Sequence, residues 1–377
     1  MKLSVIIARI IVGTLFVFSG LVKAIDPLGL TYKMQEFFEV WGREGYATPL
    51  MNWMYNYAFL FSVLMIALEV VLGVALLAAY QKKLVLRLLL LLMIFFTFLT
   101  SYVLFSGKIA TCGCFGDCIP LTPIQTFTKD IALLLLIIFL LVKQQYIQPL
   151  AKGMLPAVLV LVSIIGVTLL QVHVIKHLPL KDCLPYKKGN NLLELRKMPD
   201  NAIPDKFSYS FVYEKNGVKK EFSADQLPDS TWKYADRKQT LVKKGSNNIP
   251  KINDFSLTDS AGVDATETVL SESGDYYLFF LKDMEEGTVK WSGDFVNLWQ
   301  KAKEQKRPLY IVTADKNKTT AFFNTINHYD VAILTCDATA IKTAARANPT
   351  LFLMKGPVVQ NKWSWADIKK AIAFDKE

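Results

Sequence analysis

The sequence lacks the motifs that the commonest enzyme classes require. It contains no phosphate-binding loop, no serine triad and no zinc-protease helix, and only three histidines occur among its 377 residues. Five cysteines are too few for the disulfide scaffold of a small secreted protein. Internal repeats and low-complexity tracts are also missing from the sequence. These absences leave the placement of the cysteines as the main chemical signal.

The charged residues show no concentration that would indicate a nucleic-acid partner. Of the net charge of +10, residues 1–180 carry +6 and the remaining residues carry +4. The first segment contains 13 Lys and Arg and 7 Asp and Glu, whereas the second contains 30 and 26. Because 52% of all residues are hydrophobic, this distribution predicts a membrane-embedded half followed by a water-soluble half. We expect no nucleic-acid binding.

Five apolar runs are long enough to cross a bilayer, which takes about 20 helical residues. They cover residues 3–22, 57–79, 84–105, 126–142 and 155–174. We predict that each run forms a transmembrane helix and that the first is not cleaved as a signal peptide. The lipid bilayer is therefore one expected partner of the chain.

The orientation of these helices is predicted from Lys and Arg in the short loops. A cytoplasmic N-terminus places seven of these residues inside, Lys152 among them, and six outside. The same topology places the cysteines of residues 111–123 and the whole second half outside the cytoplasm, where disulfides persist. We expect the N-terminus inside and the C-terminal domain in the periplasm.

Residues 111–123, TCGCFGDCIPLTP, hold Cys112, Cys114 and Cys118 between two predicted membrane helices. A disulfide between Cys112 and Cys114 closes only a small, strained ring, and strained disulfides are more easily reduced. We therefore predict that Cys112 and Cys114 are a redox pair, with Cys118 or Cys183 as the resolving or delivering thiol.

Two other interpretations of these cysteines remain open. A structural disulfide would pin the loop to the membrane surface, and a metal site would use the three loop cysteines together with Cys183. The uneven spacing of the loop cysteines is unfavourable for a zinc knuckle. In the redox interpretation, Lys108 or Lys129 supplies the positive charge that lowers a thiol pKa.

Four charged residues inside or beside the apolar runs are candidate cofactor-binding residues: Glu69, Arg9, Lys129 and Asp130. An ionised carboxylate at Glu69 costs roughly 2.5 kcal/mol or more unless it is paired, and Arg9 is the predicted partner. The pair is either a structural contact or a site for protons or a quinone headgroup, so a quinone is the candidate cofactor. Asp130, early in the fourth run, is predicted to cap that helix.

Beyond the fifth run the pattern changes to that of a mixed α/β protein. Asn216-Gly217, at the centre of the alternating residues 208–222, predicts a β-hairpin. Predicted strands at 276–281, 309–313, 331–335 and 349–354 alternate with predicted helices at 295–304 and 318–326. This alternation is typical of a layered α/β sheet. Between the first two runs, residues 32–41 have the spacing of an amphipathic helix at the membrane interface.

Three other residues are candidates for chemistry but have simpler explanations. His173 and His177 are four residues apart, a spacing that can hold a metal or haem, but no third ligand accompanies them in the sequence. We therefore expect both to lie at the membrane interface. Cys336 is predicted to pack in the core of the second half.

The first 145 residues resemble a known family of membrane proteins. The segments RIIVG at 9–13, FSG at 18–20, CGCFGD at 112–117 and TPIQTFTKD at 122–130, together with Lys23 and Glu69, resemble the DoxX/MauE-like proteins of the bacterial inner membrane. The resemblance implies a bundle of four membrane helices linked to disulfide or quinone-coupled chemistry.

The last third resembles thioredoxin-fold domains of the peroxiredoxin-like type. The resemblance lies in INDFSLTDSAG at 252–262 and ANPTLFLMKG at 347–356. It implies that Pro349 is the cis-proline of that fold and that Pro349 and Asn348 border an edge that binds another envelope protein. Where such domains carry Cys-x-x-Cys, this chain has KDMEE at 282–286, so ordinary thioredoxin catalysis is not expected. A structural cap is the alternative role.

We therefore predict a multi-domain protein with an α-helical membrane bundle followed by an α/β thioredoxin-like domain. The expected units are a four-helix domain at 1–150, a fifth transmembrane helix at 151–180, a β-hairpin connector at 181–245 and an extracytoplasmic domain at 246–377. The predicted function is that of a thiol-disulfide or quinone-linked redox protein at the outer face of the bacterial inner membrane. The alternatives are a non-enzymatic envelope scaffold and a bundle that binds a lipid or small molecule around Glu69.

Overall fold

The N-terminal half is helical and contains the five predicted transmembrane helices. In a computed structural model, which describes residues 2–149, 153–243, 245–284 and 288–374, its helices are α1 (Lys2–Ala24), α2 (Pro27–Arg43), α3 (Thr48–Asn56), α4 (Ala58–Ala78), α5 (Lys82–Ser106), α6 (Pro123–Val142) and α7 (Leu155–His177). Helices α1, α4, α5, α6 and α7 are long and apolar enough to cross a membrane. The chain is a multi-pass membrane protein whose exposed helix faces contact lipid.

The loops of this half differ from the predictions in detail. The amphipathic segment predicted at 32–41 is part of the longer helix α2, whereas α3 has no predicted counterpart. Lys152, used in the prediction of orientation, lies outside the described residues. At the end of the bundle that carries the N-terminus, Arg9 donates a hydrogen bond to the carbonyl oxygen of Gln148 at 2.7 Å and Lys82 to that of Ile147 at 2.7 Å. Helix α2 and the cysteine-containing loop lie at the opposite end.

Helices α1 and α4 pack closely through glycine residues. A Cβ atom added to Gly73 on α4 would lie 2.9 Å from the carbonyl oxygen of Gly13 and 2.9 Å from the backbone nitrogen of Val17 on α1. Gly20 likewise lies against the backbone of Val70. Small residues allow this approach of two backbones in lipid, where packing and hydrogen bonds drive association.

A three-stranded antiparallel sheet follows the short helix α8 (Leu192–Arg196). Its strands are β1 (Lys206–Lys215), β2 (Val218–Ser223) and β3 (Lys233–Lys243), in the order β2-β1-β3. Asn216 and Gly217 form the two-residue turn between β1 and β2 with φ angles of 52° and 78°, a conformation that these residue types favour. The predicted hairpin is confirmed, and β3 extends it.

The last part of the chain forms a five-stranded mixed sheet with helices. The strands are β4 (Asp275–Leu281), β5 (Leu309–Thr313), β6 (Ala332–Thr335), β7 (Thr350–Lys355) and β8 (Val358–Ser364), in the order β6-β5-β4-β7-β8. Strands β4, β5 and β6 are parallel, whereas β7 and β8 are antiparallel to their neighbours. The helices are α9 (Thr266–Leu270), α10 (Thr288–Glu304), α11 (Lys316–Thr320), which continues into a π-helical turn at Ala321–Ile326, α12 (Ala338–Ala344) and α13 (Ile368–Phe374). The four predicted strands are present, and β8 has no predicted counterpart.

The core of this α/β domain includes residues that precede β1. Alternate side chains of β4 enter two clusters, one on each face of the sheet, which explains the uninterrupted apolar sequence of this strand. Tyr186 and Leu192 enter one of these clusters. The amides of Gly189 and Leu192 donate to the carbonyl oxygens of Val359 and Pro357, both at 2.8 Å. Part of the predicted connector at 181–245 therefore packs as part of the α/β domain.

Candidate functional site

Helix α6 begins directly after the cysteine loop, which we define as residues 107–122. The hydroxyl of Thr122 accepts a hydrogen bond from the amide of Gln125 at 3.3 Å, and the side chain of Gln125 accepts one from the amide of Thr122 at 3.0 Å. This capping box, with Pro123 at the first helical position, fixes the start of the helix. The prediction that Asp130 caps α6 is wrong, because Asp130 lies about two turns inside the helix and is fully buried.

The cysteine loop holds Cys112 and Cys114 side by side. Their sulfur atoms lie 3.5 Å apart, within hydrogen-bonding distance for sulfur, and both thiols are free and partly buried. Gly113 and Gly116 have φ angles of 71° and 58°, and the amide of Gly116 donates to the carbonyl oxygen of Gly113 at 2.9 Å. These left-handed glycines form the tight turn that brings the two sulfurs together.

Cys118 and Cys183 form a disulfide across 65 residues of sequence. It joins the cysteine loop to the segment between α7 and the α/β domain. The sulfurs of Cys118 and Cys183 are therefore bonded to each other. Both the delivering-thiol prediction and the four-cysteine metal site require these sulfurs to be free thiolates. Across the described residues, no group of three or more His, Cys, Asp or Glu side chains is arranged to hold a metal.

The two free thiols of the loop differ in acidity. The hydrogen bond to Cys114, together with burial, raises the pKa of Cys112 well above its usual value. The same hydrogen bond lowers the pKa of Cys114, and the positive charge of Lys129 lowers it further against the opposing effect of burial. Cys114 is therefore the thiol that ionises first, as a nucleophile in thiol exchange must.

Beneath this pair, a buried ion pair joins α1 to α4. Lys23 and Glu69 are in contact, and their side chains are 4% and 1% exposed. The hydroxyl of Ser19 lies 3.2 Å from Oε2 of Glu69 and 3.1 Å from the carbonyl oxygen of Cys114. The ion pair and the loop that carries the thiols thus share a hydrogen-bonding group.

Arg9 is not the partner of Glu69, which corrects the sequence-based prediction. Arg9 lies about 21 Å along α1 from Lys23, at a rise of about 1.5 Å per residue, and bonds Gln148 at the other end of the bundle. It also lines none of the cavities that contain Glu69. Of the four predicted cofactor-binding residues, Arg9 is therefore separated from the other three.

A second charged pair lies on α6 close to the thiols. Lys129 is in contact with the carboxylate of Asp130, which also accepts a hydrogen bond from the hydroxyl of Thr100 on α5 at 3.1 Å. The ammonium group of Lys129 lies 5.1 Å from the ring centroid of Phe115, next to Cys114 in sequence. Lys129 thereby provides the positive charge that was predicted for the cysteine loop.

Two small cavities connect the thiols with the charged residues. One, of about 20 Å³, is lined by Cys114 and by both charged pairs. The other, of about 30 Å³, is lined by Cys112, Cys114, Lys23 and Glu69. Each is large enough for one or two water molecules.

The α/β domain is docked against the cysteine loop and α2. The guanidinium of Arg346, 7% exposed, bonds the carboxylates of Asp26 and Asp117, both at 2.8 Å. Asp26 caps α2, and Asp117 directly precedes Cys118. The ammonium of Lys282 donates to the hydroxyl of Tyr32 on α2 at 2.9 Å.

The predicted partner-binding edge faces this contact. The Asn348-Pro349 peptide bond is cis, and the side-chain oxygen of Asn348 accepts a hydrogen bond from the amide of Lys282 at 2.9 Å. Because Lys282 contacts Tyr32, the edge beside Pro349 adjoins the chain's own membrane half. Glu285 and Glu286, part of the segment 282–286 where the resemblance predicts that a thioredoxin-like domain would carry Cys-x-x-Cys, lie outside the described residues.

Other contacts at the boundary between the two halves are also polar. Lys362 bonds Asp182, next to Cys183, at 2.6 Å. His177, at the end of α7, lies 2.9 Å from a carboxylate oxygen of Asp367. The histidine at 177 therefore contacts the α/β domain, and the ring of His173 lies beside it with centroids 4.8 Å apart.

Cys336 belongs to the core of the α/β domain, as predicted. Its side chain is 4% exposed within one of the apolar clusters. Burial raises its pKa to about 12, which makes it unreactive as a thiolate at neutral pH.

Comparisons with known proteins support a relationship over the membrane half. The family model described as methylamine utilisation protein MauE matches residues 1–143. The protein TlpB of Flavobacterium psychrophilum is 30% identical over 138 residues, which are 35% of this chain and 35% of that protein. The chain thus spans about a third of the length of the curated relative that it matches.

The comparisons say less about the second half. A model of a domain of unknown function (DUF8463) matches residues 207–244, which contain the three-stranded sheet. No solved structure matches the chain. The similarity to MauE is thus confined to the membrane half.

Four residues of this site carry no functional prediction from the sequence: Ser19, Lys23, Thr100 and Arg346. Ser19 and Lys23 are one helical turn apart and therefore share a face of α1. That spacing is a signal in the sequence, because a polar face near the end of an apolar helix indicates a partner inside the bundle. Thr100 and Arg346 give no such signal, since their roles depend on tertiary contacts.

Proposed function

We propose that this protein is a membrane thiol-disulfide oxidoreductase whose reactive groups are Cys112 and Cys114. The observation that carries the proposal is the 3.5 Å separation of two free sulfurs whose pKa values move in opposite directions. A thiolate beside a protonated thiol is the state from which a dithiol exchanges with a disulfide.

The reaction balances within the dithiol and one acceptor. The Cys112 and Cys114 thiols lose two electrons and two protons, and a bond of about 2.05 Å forms between their sulfurs. The acceptor is a disulfide of another protein, reduced to two thiols, or another two-electron acceptor. Lys23 and Glu69 lie next to the thiols through a cavity and are placed to exchange the protons.

The Cys118–Cys183 disulfide has a different role in this proposal. It fixes the cysteine loop to the segment that enters the α/β domain. Delivery of electrons through Cys118 or Cys183, as the sequence predicts, requires this disulfide to be reduced first. We assign it as a brace, and its exchange with Cys112 or Cys114 is one outcome of the experiments below.

We also assign a thioredoxin-like fold to the α/β domain. The order β6-β5-β4-β7-β8, with three parallel and two antiparallel strands, supports the assignment. Lys282, Asp283 and Met284 occupy the position where such domains carry thiols, so the domain contributes no dithiol there. Its polar contacts with Asp26 and Asp117 support a role as a cap that positions the loop or a partner.

The proposed location is a bacterial inner membrane with the cysteine loop outside the cytoplasm. The Cys118–Cys183 disulfide supports an oxidising compartment on that side. The five long apolar helices support the membrane, and the relative TlpB is a bacterial protein. The N-terminus, at the opposite end of the bundle from the loop, is then cytoplasmic.

A non-enzymatic scaffold is the second candidate, because the disulfide and the charged contacts already brace the two halves. Thiol trapping in isolated membranes separates the candidates. We expect Cys112 and Cys114 to be alkylated after reduction and protected after oxidation, and the paired change Cys112→Ser, Cys114→Ser to abolish the oxidation with the protein still folded. Cys336→Ser is the matched control. Thiols that never change their alkylation state would reject the oxidoreductase.

A further inference from the structure

Three cationic side chains surround the ring of Tyr32, where α2 meets the α/β domain. The ammonium groups of Lys282 and Lys342 lie 5.7 Å and 5.5 Å from the ring centroid. The guanidinium of Arg346 lies 5.3 Å from it and bonds two carboxylates. The charge of Arg346 is therefore compensated, and the two lysines carry the remaining positive charge of the cluster.

Lys282 and Lys342, which we call the lysine pair, have only uncharged partners among the described residues. Lys282 donates to the hydroxyl of Tyr32 at 2.9 Å, and the ammonium of Lys342 lies 3.5 Å from the side-chain oxygen of Gln35. Both lysine side chains are half-buried. Like charges near one ring repel each other, and partial burial reduces the screening by water. An anion between the two ammonium groups would remove this repulsion.

The carboxylates of α2 that could supply such an anion are already paired. Glu36 forms an ion pair with Lys33 at 2.8 Å, and Glu39 forms one with Arg43. Asp26, at the start of the helix, bonds Arg346. The lysine pair is therefore suited to an anion from outside the chain.

The lysine pair lies beside a helix at the membrane surface. Lys342 is 6.0 Å from the ring centroid of Tyr55 on α3, the short helix that precedes the membrane-spanning helix α4. Next to Tyr55 in sequence, Trp53 and Tyr57 are 51% and 47% exposed. Exposed Trp and Tyr at the end of a membrane helix are typical of the depth at which lipid headgroups lie.

We propose that the lysine pair binds the phosphate group of an anionic phospholipid. Each ammonium group offers three donors to the phosphate oxygens, and the hydroxyl of Tyr32, which accepts a hydrogen bond from Lys282, retains its own hydrogen to donate. Met34 and Met54, on α2 and α3, line an apolar groove of about 240 Å³ that accommodates part of an acyl chain. The inference does not depend on the chemistry of the thiols.

A lipid at this position would join the two halves of the protein. Lys282 follows β4 and Lys342 lies on α12, both in the α/β domain, whereas Tyr32 and Tyr55 belong to the membrane half. The phosphate would thus add to the ion pairs of Arg346 in holding the docked domain.

The test measures the melting temperature of the full-length protein in lipid-free detergent, with phosphatidylglycerol, phosphatidylcholine or inorganic phosphate added. The paired change Lys282→Gln, Lys342→Gln removes both charges, and Lys342→Gln alone is used if the paired variant does not fold. Lys233→Gln with Lys243→Gln is the matched control, because it removes the same charge from the exposed strand β3.

We expect phosphatidylglycerol to raise the melting temperature of the wild type and of the control by several degrees, since a ligand of the folded state stabilises it. The lysine variants should lose most of that rise but match the wild type without lipid. An equal rise in the lysine variants would overturn the site, and an equal rise with phosphatidylcholine would overturn the need for an anionic lipid. A rise of the same size with inorganic phosphate would reject a lipid as the source of the phosphate.

Discussion

Arg346 and Asp117 form an ion pair at 2.8 Å that joins the α/β domain to the cysteine loop. The same guanidinium bonds Asp26, so one side chain holds both the loop and the start of α2. The contacts between the two halves are mainly charged or polar, and no apolar cluster spans them across the described residues. The docked arrangement therefore depends on few groups and should be separable.

Arg346→Ala should loosen the α/β domain and expose the thiols. Truncating one partner of a buried charge pair costs about 2–5 kcal/mol, and the lower end applies because Asp117 is 39% exposed and can be hydrated. We expect faster labelling of Cys112 and Cys114 by a bulky maleimide. Arg237→Ala, on the exposed strand β3, is the control. Equal labelling rates in all three proteins would show that the docked domain does not limit access.

Lys23 and Glu69 should stabilise the fold only when both are present, so that losing one should cost more stability than replacing both. Removing one partner of a buried pair costs about 3–5 kcal/mol, whereas replacing both with apolar residues is often neutral. We expect Lys23→Met or Glu69→Gln alone to lower the melting temperature in detergent, and Lys23→Met with Glu69→Leu to restore most of it. Arg9→Met should have a smaller effect, since Arg9 lies apart from the pair. Full stability of both single variants would contradict the ion pair.

Alkylation of Cys114 should persist to lower pH than that of an ordinary thiol. A lowered pKa keeps a larger thiolate fraction as pH falls, and the thiolate is the species that reacts. In Cys112→Ala the hydrogen bond is lost, so the pKa of Cys114 should rise and the rate profile should move to higher pH. The measurement is the iodoacetamide rate against pH in a Cys336→Ser background. An unchanged profile in Cys112→Ala would refute the role of the hydrogen bond.

The paired change Cys118→Ser, Cys183→Ser should reduce stability without abolishing dithiol oxidation. A disulfide typically contributes about 2–4 kcal/mol, more for longer loops, and this one closes 65 residues. We expect a lower melting temperature that no longer responds to reductant, with diamide still oxidising Cys112 and Cys114. Loss of that oxidation in a folded variant would assign Cys118 or Cys183 to electron delivery instead.

Gly73→Ala should disturb the register of α1 and α4. The added methyl group would lie 2.9 Å from backbone atoms of Gly13 and Val17, so the helices must separate. Gly166→Ala on α7 is the control, because its Cβ would meet nothing within 4 Å. We expect a lower melting temperature and faster alkylation of the loop thiols in the first variant alone. Identical behaviour of both variants would argue against close packing at Gly73.

The membrane helices and four of the five strands of the mixed sheet are predictable because run length and periodicity are local properties of the sequence. The pairing of Cys118 with Cys183 is not, since it depends on where the segment after α7 enters the α/β domain. The clustering of Cys112 and Cys114 is visible in sequence, but their unequal acidity needs the positions of the surrounding charges.

The error at Glu69 has a geometric cause. Arg9 and Lys23 are about four helical turns apart and so lie on nearly the same face of α1. Either residue could face Glu69 on α4, and only the position of α4 along the axis of α1 decides which of the two does. That offset is set by Gly20 against Val70 and Gly13 against Gly73, contacts that the sequence alone does not pair.

The backbone at the start of α8 is hydrogen-bonded through Gly189 and Leu192 to the start of β8 and to the turn between β7 and β8, and Cys183 lies a few residues earlier in the same segment. A rotation of the α/β domain relative to the bilayer would therefore move Cys183, and the disulfide would transmit that movement to Cys118 in the cysteine loop. A partner protein that binds the opposite side of the α/β domain would therefore change the positions of Cys112 and Cys114 without contacting them.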